Sequence, residues 1–178
     1  TMTEYTTTQQ HLKDPNTSPE VLDQIAMHKN TGHKVGVANH PNVSVDTLDK
    51  LMRTKNCRVR RAVAKSPKLN HAMATFLLQD TNIHHPRLGL VTIHMTLAAN
   101  TNTPSDILSE LLVHPKDEVR GHLAENPSLT PEQIEVLCLD RDWEVRFALV
   151  SHHPFLPWVP VSSDYDWEYD SLLIGYLP

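Results

Sequence analysis

VRGHLAENPSLTPEQIEVL, Val119–Leu137, holds the grammar that the rest of the chain repeats. It opens on a Val-Arg pair and runs to an apolar-Ala pair, Leu123-Ala124. It then turns at Asn126-Pro127 and restarts at Thr130-Pro131-Glu132. Thr130 offers a hydroxyl cap, Pro131 suits a first helical position, and Glu132 faces the positive end of the helix dipole. Ile134, Leu137 and Cys138 then recur at helical spacing. The stretch predicts one short helix ending at a proline and a second beginning beyond it.

The same marks recur elsewhere. Pro15, Pro41 and Pro67 are evenly spaced, and Thr101 and Pro127 resume their interval after an insertion. Ala38, Ala64, Ala98, Ala124 and Val150 form a second series in the same register, each preceded by an apolar residue: Val37, Val63, Leu97, Leu123 and Leu149. Ser18-Pro19-Glu20 and Thr103-Pro104-Ser105-Asp106 resemble the restart at Thr130, and Ser44-Val45-Asp46 is that start without its proline. No segment reads as a strand. A single unit cannot bury its apolar face alone, so the pattern predicts an all-α stack, a right-handed α-solenoid of about five to six 26-residue units.

The pattern V-R-x-x-V-A-x-x-P-x-x-x-x-x-x-L-x-x-L, carried by Val59 through Pro67 and Val119 through Leu137, resembles the leucine-rich repeat variant family. The resemblance covers about residues 13–154. It implies a superhelix of alternating α and short 3₁₀-type helices, with the proline-to-cap segment as the 3₁₀ piece, and a role in interaction. One relative carries an iron–sulfur cluster on an N-terminal cysteine-rich extension. This chain has no cysteine before Cys57, so that cofactor does not transfer. Lys34-Val35-Gly36 stands where the first unit wants its Val-Arg pair, as in a terminal cap. The expected organisation is an N-terminal tail over 1–12, the repeats over 13–160 with an insertion near 80–90, and an acidic-aromatic cap or tail over 161–178.

The 178 residues carry a net charge of −5, unevenly spread. Residues 1–100 hold 12 Lys/Arg against seven Asp/Glu, and residues 101–178 hold four against 14. Between Lys50 and Lys68 stand eight basic residues and no acid: Lys50, Arg53, Lys55, Arg58, Arg60, Arg61, Lys65 and Lys68. This run is either a solvated helix face or a patch for an acidic peptide or phosphates. The acidic second half repels a long duplex, and no aromatic is interleaved for stacking on single strands. The expected partner is therefore a protein, with nucleic acid as the alternative, using the same run with Arg87 and Arg120.

Arg60, Arg120 and Arg146 occupy one repeat slot. Recurrence at the repeat period favours a structural ladder to acids such as Asp117, Asp140 or Asp142 over a ligand groove. The twelve histidines include the pairs His84-His85 and His152-His153, and His28 with His33, in none of the spacings zinc sites favour. His40 and His153 precede prolines where Asn126 precedes Pro127, a slot for a short polar turn-maker. No metal or cofactor is expected. Catalytic motifs such as G-x-S-x-G, a phosphate-cradling loop or H-E-x-x-H are absent. Asp140 and Asp142 beside Trp143 evoke helical-repeat alkylpurine DNA glycosylases, but no segment matches their motif, so the expectation is no enzyme.

Tyr165, Trp167 and Tyr169 alternate with acids in the last segment, which reads as a cap, a docking motif, or a reach to a neighbouring molecule's basic run. No run of about 18 apolar residues exists to span a membrane. TMTEYTTTQQHLKD lacks a basic-then-apolar leader, and Cys57 and Cys138 read as free thiols, so the cytoplasm is expected.

Overall fold

A computed structural model describes residues 2–80 and 93–154. These residues form helices and turns only, without a strand. They fall in two units, Thr1–Thr103 and Pro104–Pro178.

The first unit runs α1 (Met2–Lys13), α2 (Pro19–Ala26), α3 (Thr31–Ala38), α4 (Val45–Met52), α5 (Cys57–Ala64), α6 (His71–Leu78) and α7 (Ile93–Ala99). Residues 2–12, expected as a tail, are helical as α1 and lie against α2 and α3. The helices pair as α2/α3, α4/α5 and α6/α7, with α3, α5 and α7 side by side and α2, α4 and α6 forming the other row. The second unit repeats the pairing with α8 (Ser105–Leu111), α9 (Asp117–Ala124), α10 (Pro131–Cys138) and α11 (Trp143–His152). No helix among the described residues is long and apolar enough to cross a membrane.

Helices of about two turns are too short to persist alone, so caps and burial hold them. Side chains of Ser18, Asn30, Ser44, Asn56, Asn70, Thr130 and Asp142 each accept a backbone N–H in the first turn, and Thr130 with Gln133 closes a reciprocal capping box. Thr103 is an exception to its expected role. Pro104 stands at the cap of α8, and the Thr103 hydroxyl instead donates to the Leu97 carbonyl at 2.7 Å. Burial follows the repeat register. Val37, Val63, Leu97, Leu123 and Leu149 are each 0% exposed, so one slot supplies a core residue from every pair. Each such side chain stabilises its unit by about 1.5–3 kcal/mol.

Each proline segment is one closed turn rather than the expected 3₁₀ helix. Backbone bonds run from Thr17 to Asp14, Val43 to His40, Leu69 to Ser66, Thr103 to Asn100 and Leu129 to Asn126. In all five turns the side chain of the first residue also accepts the N–H two residues on. That side-chain bond takes the N–H that would otherwise bond back to the residue before the turn, so the turn is not continuous with the helix that precedes it. Longer residues in the slot reach back as well. Asn100 Nδ2 donates to the Ala64 and Ser66 carbonyls, at 2.8 and 3.0 Å. His40 Nε2 donates to Asp14 O at 2.8 Å, and His153 Nε2 to Ala124 O at 2.9 Å. Both nitrogens of His40 are thereby committed to the fold.

The Val-Arg slots of the first pair hold His33 and Lys34, two positions earlier than Val35-Gly36, where the sequence pattern placed them. His33 is 6% exposed where Val59, Ile93, Val119 and Val145 are buried in their own pairs. Above it lies α1, whose Thr8 is buried and whose Leu12 packs on Gly36. A Cβ at Gly36 would come within 2.9 Å of Leu12, so the glycine admits the close approach of α1. The atypical first pair is thus the one that a capping helix covers.

Candidate functional site

The recurring arginines resolve into a ladder. Arg120 is 4% exposed, and its Nε and Nη2 donate to the Asp140 carboxylate at 2.8 and 3.1 Å. Its Nη1 donates to the His114 carbonyl at 2.7 Å. The bond to Asp140 raises the guanidinium pKa above its ordinary value against the opposing effect of burial, with Asp140, Asp117 and Asp142 adding attraction. Arg60 repeats the motif, with Nε donating to Asp80 and Nη1 to the Thr54 carbonyl. Arg146 Nη1 donates to the Asp140 carbonyl at 2.6 Å. The arginine therefore locks the turn within its own pair, six residues back, and the acid after the next pair's first helix, 20 residues on. Asp140 was among the acids expected. Asp80 was not, although it stands at the same offset from Arg60 as Asp140 from Arg120 and is legible on that ground.

This use of charge divides the basic run. Lys50 lies 3.6 Å from Asp23, and Arg53 pairs with Asp49 at 3.3 Å while its guanidinium sits 4.9 Å from the centre of the Phe76 ring. Arg60 belongs to the ladder, and Lys68 Nζ donates to the Val43 carbonyl at 2.6 Å. Lys55, Arg58, Arg61 and Lys65 remain, with no acid paired to any of them among the described residues. Arg58 and Arg61 on α5 and Lys65 at its C-cap stand at i, i+3 and i+7, along one face of that helix, and Lys55 lies in the turn before it. The Arg61 Nε is buried without a hydrogen-bond partner. At the matching positions α3 presents Gly32, Val35 and Asn39, so the stripe is confined to one helix.

Two open recesses lie in the first unit. One, of about 370 Å³, is bordered by Arg53, Arg60, Phe76 and Asp80. The other, of about 680 Å³, lies between α1 and the α2–α3 turn, beside Tyr5, His28 and His33. There the two imidazoles face each other with Nδ1 atoms 3.3 Å apart. Burial, and then the neighbouring His28, hold His33 below its ordinary pKa. Cys57 is half-buried and Cys138 buried, both as free thiols. Tyr165, Trp167 and Tyr169, Arg87, the pair His84-His85 and the insertion beyond Asp80 lie outside the described residues.

No protein-family model, no curated protein and no solved structure matches this chain.

Proposed function

We propose that this protein is a non-catalytic interaction scaffold, a right-handed α-solenoid of leucine-rich-variant type working in the cytoplasm, that binds an acidic protein segment on α5. The observation that carries the reading is the unpaired set Lys55, Arg58, Arg61 and Lys65. The ladder arginines and four of the eight basic residues are committed to the protein's own acids and carbonyls. What is left unpaired is therefore available to a partner.

Magnitude favours a peptide over nucleic acid. Four phosphate contacts give a salt slope of about −3.6, a loss on the order of 10² in affinity between about 50 and 200 mM salt. Nucleic-acid binders that rest on phosphate contacts commonly use roughly six to ten of them. A stripe one helix wide matches the side chains of a single acidic segment better than a tract of duplex.

The test is a titration of the full chain with a glutamate-rich peptide, a short duplex and a single strand at both salt concentrations. Peptide binding that disappears in the R58E/R61E/K65E variant is expected. Tight duplex or single-strand binding with that salt slope, lost in the same variant, would replace this reading with the nucleic-acid one. Binding of neither probe at low salt would remove the stripe as a site.

A further inference from the structure

The surface formed by α9 and α11 in the second unit brings together an acidic cluster, two exposed aromatics and a glycine. The two helices lie side by side and point the same way. At one end the carboxylates of Asp117, Asp142 and Glu144 come within 4.8 Å of one another, and at the other His153 reaches the Ala124 carbonyl. Register then places Trp143 level with Asp117 and Phe147 level with Gly121, each pair one repeat interval apart.

Trp143 is 59% exposed and Phe147 48% exposed. Their rings meet edge to face, with centroids 6.5 Å apart, forming one aromatic wall along α11. Opposite that wall, α9 has no side chain. A Cβ built on Gly121 meets nothing within 4 Å, so the helix surface there is bare and uncovered. At the end of this trough stand the three acids, and no lysine, arginine or histidine among the described residues closes an ion pair with them. The nearby Arg120 directs its three hydrogen bonds to Asp140 and the His114 carbonyl and reaches Asp117 and Asp142 by longer-range attraction without a hydrogen bond.

We infer that this trough receives an arginine side chain presented by a protein partner. The aliphatic stem lies over Gly121 along Phe147, and the planar guanidinium stacks on Trp143 and faces the acids. Aromatic faces and carboxylates both attract a cation, and a planar one satisfies both at once. The site is independent of the α5 stripe. It has the opposite sign and rests on other residues.

The experiment is a titration of the full ¹⁵N-labelled chain with a short alanine-glutamine peptide bearing one central arginine. The control peptide carries citrulline, which keeps the shape and loses the charge. With peptide up to about 5 mM, the range of a single weak contact, dose-dependent shifts are expected at the Trp143 indole N–H and the Gly121 amide. The citrulline peptide should bind at least tenfold more weakly.

Two variants keep the test independent of folding. G121L fills open space on a helix, and D117N/D142N/E144Q removes charge while asparagine still caps α11. Both should fold, as checked by circular dichroism, and lose the shifts. R58E/R61E/K65E, which alters only α5, should keep them. No shift with the arginine peptide, equal shifts with citrulline, shifts by calcium in its place, or full binding by G121L would each overturn the inference.

Discussion

Replacing Arg120 with alanine should unfold the second unit at markedly lower denaturant. The side chain makes three hydrogen bonds, two of them to a carboxylate 7% exposed. Its loss leaves Asp140 buried with one remaining donor, the Asp142 N–H at 2.9 Å. It also strips the His114 carbonyl of its Nη1 donor. Breaking a buried pair from one side costs about 3–5 kcal/mol, most of it the stranded charge. In a chain of this size that corresponds to a melting shift on the order of 10 °C.

Urea unfolding followed by tryptophan emission isolates the effect, since Trp143, Trp158 and Trp167 all lie after Pro104. Arg141→Ala, an exposed neighbour, is the control and should change stability by under about 0.5 kcal/mol. R120K keeps the charge and loses the fork, so it should fall between the two. R120M/D140L removes both charges and should recover most of the loss. If R120A came within about 1 kcal/mol of R141A, the ladder would not be structural, and Arg120 would return to the list of ligand-facing groups.

Three further outcomes follow from individual residues. Burial holds His153 below its ordinary pKa despite its bond to Ala124, so the unfolded chain binds the extra proton first as pH falls. Its contribution is whole above about pH 6.5 and lost below it. His153→Asn, which puts in this slot the residue found at Asn100, should keep the backward bond and flatten the loss in urea melts between about pH 7 and 5; an unchanged slope would refute the assignment. Cys138 is pushed up to about 11 by burial and then by Glu135, so a thiol reagent at neutral pH should label Cys57 first and Cys138 only on unfolding. Equal rapid labelling in the native protein would contradict that. Gly121→Ala should stabilise by about 0.5–1 kcal/mol because its Cβ meets open space, whereas Gly36→Ala must displace Leu12 and should gain less or lose; equal gains in urea would disprove the packing of α1.

What every helix pair requires was legible in the sequence, because repetition writes it several times. The slot from Val37 to Leu149 is buried in every pair, and the turn slot from Asp14 to Asn126 closes the same bonds each time. The arginine ladder was readable for the same reason. The basic run misled in part because its counter-charges are distant in sequence: Asp23 lies a full repeat before Lys50, and Asp80 lies most of a repeat after Arg60. His33 escaped notice because Val35, two positions on, offered a competing place for the valine of the Val-Arg pair, and nothing local reveals that α1 covers that slot. The 3₁₀ expectation came from a resemblance, and each segment forms one turn of that bond pattern without lengthening into a helix; its first residue takes the N–H two residues on, which would have joined the turn to the preceding helix.

The slots that repeat and the slots that vary therefore answer different questions. A contact demanded by the packing of each pair must hold in every pair, so its residue says little about a partner. The slot holding Val35, Arg61, Met95, Gly121 and Phe147 takes an aliphatic, a cation, a buried methionine, nothing and an aromatic in turn. Its neighbour four residues earlier holds Thr31, Cys57, Asp117 and Trp143 with equal freedom. Met95 apart, variation there costs the fold little, because the other side chains of these two slots lie outside the buried core. Arg61 of the α5 cations and Asp117, Gly121, Trp143 and Phe147 of α9 and α11 fall in these two variable slots. If the scaffold binds by sequence-specific contacts, substitutions at these residues should alter binding with little effect on stability, and substitutions in the ladder should do the reverse.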